Sequence, residues 1–89
     1  MSKSEIGELY RAGSVSSQRV LPSNGRKFEL KELQALVGGY IEAVPNVHPI
    51  AYCNEEGRLL NLPFNELASQ TFGQMLVGDV VQVVSVKRT

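Results

Sequence analysis

The chain has no tryptophan, one cysteine (Cys53), one histidine (His48) and no net charge, because nine lysines and arginines balance nine aspartates and glutamates. Each shortage excludes something. A lone cysteine cannot close an internal disulfide, which points to a reducing, intracellular setting. One cysteine and one histidine cannot supply the nitrogen and sulfur ligands of a zinc site, so no metal is expected, and no cofactor either. Neutrality leaves out the basic stripe of a phosphate-backbone binder, so bulk nucleic acid is not expected as a partner. It also gives little electrostatic protection against self-association, and a homo-oligomer is expected. No apolar run approaches the roughly 18 residues of a membrane span. The segment from Met1 to Gly13 lacks the apolar core of a secretory signal. A cytoplasmic protein with no membrane partner is therefore expected. No Ser-His-Asp spacing, Walker-type loop or dinucleotide fingerprint is present.

What is present fits one small domain. The 89 residues allow a modest core, with a net stability of roughly 4–13 kcal/mol at typical per-residue values. The organising stretch is Leu33-Gln34-Ala35-Leu36-Val37-Gly38-Gly39-Tyr40-Ile41-Glu42. Before the glycines, Leu30, Leu33 and Leu36 or Val37 recur at helical spacing. After them, Tyr40 and Glu42 alternate with Ile41 and Ala43, as on a half-buried strand. Gly38 is expected to close the helix in the left-handed region, and Gly39 to start the strand close to another backbone.

Residues 1–17 are polar apart from Ile6, Leu9 and Tyr10, and are expected to form a mobile or partner-docking tail. Residues 18–89 are expected to form the domain. Gln18 to Leu21 reads as a short strand stopped by Pro22. Ser23-Asn24-Gly25 reads as a turn, with Arg26-Lys27-Phe28 as the returning half of a hairpin. Helix one is predicted over about Glu29 to Val37, with Glu29 and Glu32 at the positive end of its dipole. Strands follow at about Tyr40 to Val44 and Ile50 to Cys53, separated by a loop holding two prolines. Asn54-Glu55-Glu56-Gly57 is a turn, after which Arg58-Leu59-Leu60 is expected to pair back. Pro63 is placed in the first turn of helix two, whose apolar face is Phe64, Leu67, Ala68 and Phe72. Valines on both faces of Val80 to Val86 suggest a strand well inside the sheet. The predicted class is α+β, with a mostly antiparallel sheet, two short helices and a split β-α-β (ferredoxin-like) order as one option.

Four motifs occur in order: the Gln34-to-Glu42 stretch, Asn54-Glu55-Glu56-Gly57, Leu62-Pro63-Phe64-Asn65 and Gly78-Asp79-Val80-Val81. Together they resemble a family of small domains of unknown function encoded by bacteriophages and plasmids, over about Val20 to Val86. The resemblance implies a mobile-element origin and a host-cytoplasm setting. It raises one functional class, small proteins that counter host defence, some of which sequester nucleotide signals without cleaving them.

The side chains suggest holding rather than transforming. His48, between two prolines, reads as solvated, and Cys53, in an apolar strand, as an inert thiol. Tyr40 offers a stacking face, as do Tyr52 and Phe64. Asn54 and Asn65 offer donor–acceptor pairs, Arg58 (or Arg26) a phosphate fork, and Glu42 and Glu55 carboxylate acceptors. Tyr40, Glu42, Asn54, Glu55, Arg58 and Asn65 form the candidate ligand set, with no catalytic residue. Against them stand turn and helix caps for the asparagines, core packing for the aromatics and an ion pair to Arg58 or Arg26 for Glu42. Asn65 stands out because asparagine has poor propensity inside a helix. The expected function is a non-enzymatic binding protein for a small nucleotide-type ligand. A module that docks a host protein, and a small hydrolase using Glu42 with Glu55 or Glu56, are the alternatives.

Overall fold

A computed structural model describes residues 2–88. Its elements are β1 (Ser2–Tyr10), β2 (Gln18–Val20), α1 (Leu30–Val37), β3 (Ile41–Ala43), β4 (Ala51–Asn54), α2 (Glu66–Phe72) and β5 (Val80–Arg88). The strands form one sheet in the order β2-β1-β5-β4-β3, and every neighbouring pair is antiparallel. The α+β class, the antiparallel sheet and the two helices are those read from the sequence.

The first segment is a correction. Residues 2–10 are no tail: β1 lies inside the sheet and pairs with β5 from Ser2↔Arg88 to Tyr10↔Val80. Of residues 2–17, only the 11–17 connection lies outside the sheet, and Met1 lies outside the described residues. Few apolar residues suffice, because alternation sends Leu9 to one face and Tyr10 to the other, and both are buried. Gly7 looks like a helix breaker in the sequence, but a Cβ there would lie 2.7 Å from Val20 and 3.0 Å from the Phe28 ring.

The ferredoxin-like option also falls away. A split β-α-β unit interleaves its strands, whereas here β2 lies at one edge and β4 pairs directly with β5. The helices cover opposite faces of the sheet. On one, Leu33 and Val37 of α1 pack with Leu9, Phe28, Val81 and Val83. On the other, Ala68 of α2 packs with Tyr10, Val44, Ala51, Leu76 and Val80, and Tyr10 meets the Phe72 ring edge-on at 5.2 Å. Successive valines of β5 thus feed two cores, as expected of an interior strand.

The helix ends have identifiable causes. Glu29 and Glu32 form a reciprocal capping box at the start of α1, and Gly38 ends it at φ 80°, ψ 23° in the left-handed region. Helix α2 begins at Glu66, not at Pro63, because the Asn65 side chain accepts from the Ala68 N–H as its N-cap. Pro63 and Phe64 run extended instead: the Pro63 carbonyl accepts from Gly78 N–H, Phe64 bridges Val77, and its ring is largely exposed. Two predicted hairpin returns are turns or irregular chain. Phe28 is drawn to β1 by its N–H donating to Glu5 Oε1 and is buried beneath α1. Residues 55–61 coil locally, with Leu60 N–H donating to the Glu56 carbonyl and Leu62 N–H to that of Gly57.

Candidate functional site

A shallow hollow of about 270 Å³ lies on the α2 side of the sheet, where β3 and β4 meet the 54–59 turn and the 74–77 segment. Alternation along β3 and β4 sends Glu42 and Cys53 to this side, and the two are cross-strand neighbours. The Gln74 amide donates to the Pro45 carbonyl, which ties the segment after α2 to the chain leaving β3. Opposite, Asn65 N–H donates to the Leu76 carbonyl, which anchors the same segment to the N-terminus of α2. The floor is therefore set by the sheet, and the wall by one side-chain and one backbone hydrogen bond.

Four of the six residues selected from the sequence line this hollow: Glu42, Asn54, Glu55 and Arg58. Among the described residues, none of the Glu42, Glu55 and Arg58 side chains is held in a hydrogen bond or ion pair. The expected ion pair from Glu42 to Arg58 or Arg26 is thus not formed. Asn54 contributes in a different way. Its side chain is buried and already committed: Nδ2 donates to the Val37 carbonyl at 3.2 Å, and Oδ1 accepts from Glu56 N–H at 2.8 Å. It joins the end of α1 to the turn that carries Glu55 and Arg58, and is a positioning residue. It also explains Gly39, where a Cβ would stand 2.8 Å from Asn54 Nδ2; the close approach is to a side chain rather than to another backbone.

Tyr40 and Asn65 lie outside the hollow. Tyr40 is 64% exposed, and its carbonyl accepts from Glu55 N–H. Asn65 is fully buried. Its Nδ2 donates to the carbonyls of Tyr10 and Gly78 at 2.8 and 2.7 Å, and its Oδ1 accepts from Ala68 N–H. Buried, with both amide protons and its oxygen engaged, it is a structural cap and not a ligand-reading group.

Two exposed apolar lining residues were not among those selected from the sequence. Leu59 and Met75 stand 86% and 70% exposed in the wall of the hollow. The signal for them was present: large apolar residues in turn segments that belong to no helix or strand period. Cys53 also lines the hollow. Burial, and then the Glu42 carboxylate, push its thiol pKa up, which disfavours the thiolate and suits an inert lining group. Among the described residues, no cluster of three His, Cys, Asp or Glu side chains could hold a metal ion, and no helix is long and apolar enough to cross a membrane.

Residues 14–88 match the family model described as a domain of unknown function, DUF3846, and the chain belongs to that family. The matched span includes the whole hollow and excludes β1. No curated protein and no solved structure matches the chain.

Proposed function

We propose that this DUF3846 member is a non-enzymatic binding protein that captures a small nucleotide-type ligand in the hollow beside β3 and β4. In this reading it is phage- or plasmid-borne, acts in the host cytoplasm as a homo-oligomer, and counters defence by sequestering a signal. One observation carries the binding reading. Glu42, Glu55 and Arg58 converge on one hollow uncommitted to each other, beside exposed Leu59 and Met75. The chemistry suits a flat heterocycle bearing phosphate. Met75 and Leu59 offer apolar contact to a ring face, the carboxylates accept from ring amino groups, and the guanidinium takes phosphate as a fork. The mobile-element setting is supported by the resemblance of the four motifs. At about 270 Å³ the hollow sits just below the usual range of roughly 300–1,000 Å³, which suits a ligand held only in part by one chain.

A second reading, docking of a host protein, is favoured by the exposure of Leu59 and Met75, since exposed apolar side chains beside charged ones also mark protein contacts. A hydrolase would use Glu42 and Glu55, which share the hollow. Calorimetry against cyclic dinucleotides and ADP-ribose-derived signals separates the three. Saturable heat, with the ligand recovered intact after denaturing the protein, supports sequestration. Altered ligand makes the protein an enzyme. No heat and no thermal shift with any of them, together with a stoichiometric host protein in a pull-down, leaves docking.

A further inference from the structure

We infer that the α2-side face of the β2-β1-β5 ribbon is a contact surface between two copies of this chain. The inference deepens the homo-oligomer of the proposed function. The molecule is elongated, 42 Å by 23 Å by 22 Å. Helix α2 covers its face of the sheet only at the Tyr10, Ala51 and Val80 end, while α1 packs on the opposite face. Farther along the ribbon, Ile6 lies opposite Val84, and Ser4 opposite Val86. Period-two alternation puts Ile6, Val84 and Val86 on this same side, and Leu21, just past β2 at the edge of the ribbon, lines one hollow with Ile6 and Val86 and another with Val20, Phe28 and Leu36 of the opposite face. Leu21 is 65% exposed, and the other three aliphatic side chains are only partly buried.

Two hollows, of about 340 and 190 Å³, share Ile6 and Val86 in their linings. Ile6 and Val86 thus stand between two hollows, and a two-fold axis would set these side chains of each copy against the same face of the other. The charges match as well. Glu8 and Arg19 are cross-strand neighbours on the next row. Glu8 accepts from the Ser17 hydroxyl, while the Arg19 side chain has no partner among the described residues. An isologous contact brings the Arg19 of each copy to the Glu8 of the other, twice. Zero net charge leaves no general repulsion to oppose it.

Sedimentation equilibrium on the full chain without ligand tests this, over a concentration series. A dimer is expected. Leu21→Glu, an exposed position, should weaken association about tenfold or more while leaving the unfolding transition cooperative. Arg19→Glu should weaken it about tenfold, and Glu8→Arg combined with Arg19→Glu should restore part of the loss. Val84→Glu should give a monomer; if that chain fails to fold, the Leu21 and Arg19 variants decide. A monomer at every concentration overturns the inference, and so does a dimer whose association is unchanged by Leu21→Glu and Arg19→Glu. The readout is mass in the absence of ligand, so a failed ligand titration at the hollow leaves this result standing.

Discussion

The Asn65 amide donates to the Tyr10 carbonyl at 2.8 Å across 55 positions of sequence. That bond ties the end of β1 to the start of α2. With its partner bonds to Gly78 and Ala68, it makes one buried side chain the junction of the first strand, the second helix and the turn into the last strand.

Asn65→Ala leaves three buried backbone groups without their partner. A loss of about 3 kcal/mol or more in unfolding free energy is expected, measured by urea denaturation. Asn65→Asp keeps the acceptor for Ala68 N–H but sets a carboxylate against two carbonyl oxygens, so it should be at least as destabilising at neutral pH. A loss under about 1 kcal/mol for both would contradict the junction role.

Removing residues 1–10 removes an interior strand rather than a tail. The shortened chain should lose its cooperative thermal transition and its dispersed amide spectrum, because β5 then exposes a full edge and two cores lose Leu9 and Tyr10. A folded, cooperative remainder would contradict the sheet order.

The Glu32 carboxyl is held below its ordinary pKa, first by the backbone hydrogen bond from Ser23 and also by that from Glu29. Because the folded value is lowered, its contribution to stability is present above the ordinary glutamate pKa of about 4.3. It is lost as pH falls through the lowered folded value. Glu32→Gln should therefore lose less stability than the parent between about pH 5 and pH 2. Denaturation midpoints across that range check it; equal acid dependence in the two chains would be the contrary result.

Cys53 should alkylate more slowly than free cysteine near pH 8.5, the ordinary pKa of about that value being raised here by burial and then by Glu42. Glu42→Gln removes the charge but not the burial, so the rate with iodoacetamide should rise only severalfold. No change on that substitution would mean that Glu42 does not face the thiol.

Much of the fold was legible where one local rule decides the outcome. The left-handed Gly38 cap, the 54–57 turn and the doubly buried β5 follow from single-residue preferences and alternation. β1 was not legible, because its place depends on partners far along the chain: it gains order from pairing with β5, not from its own polar, serine-containing composition. The start of α2 was missed for a related reason. Pro63 suits a first helical turn, but the chain there is held extended by the segment carrying Val77 and Gly78. Asn65 stood out as unusual, and its cause was a buried cap rather than a ligand contact. The hollow was half legible: charged residues in a turn announce themselves, while their convergence with Met75 depends on how the 74–77 segment returns across β3.

The central claim is that the hollow holds a ligand, and the most direct measurement is an amide chemical-shift titration with the nucleotide-type ligand that gives heat. Shifts should concentrate at Glu42, residues 53–59 and residues 74–77, saturate at one ligand per hollow, and disappear in Arg58→Ala with the rest of the spectrum unchanged. Shifts centred elsewhere, or a titration that Arg58→Ala leaves intact, would contradict the account.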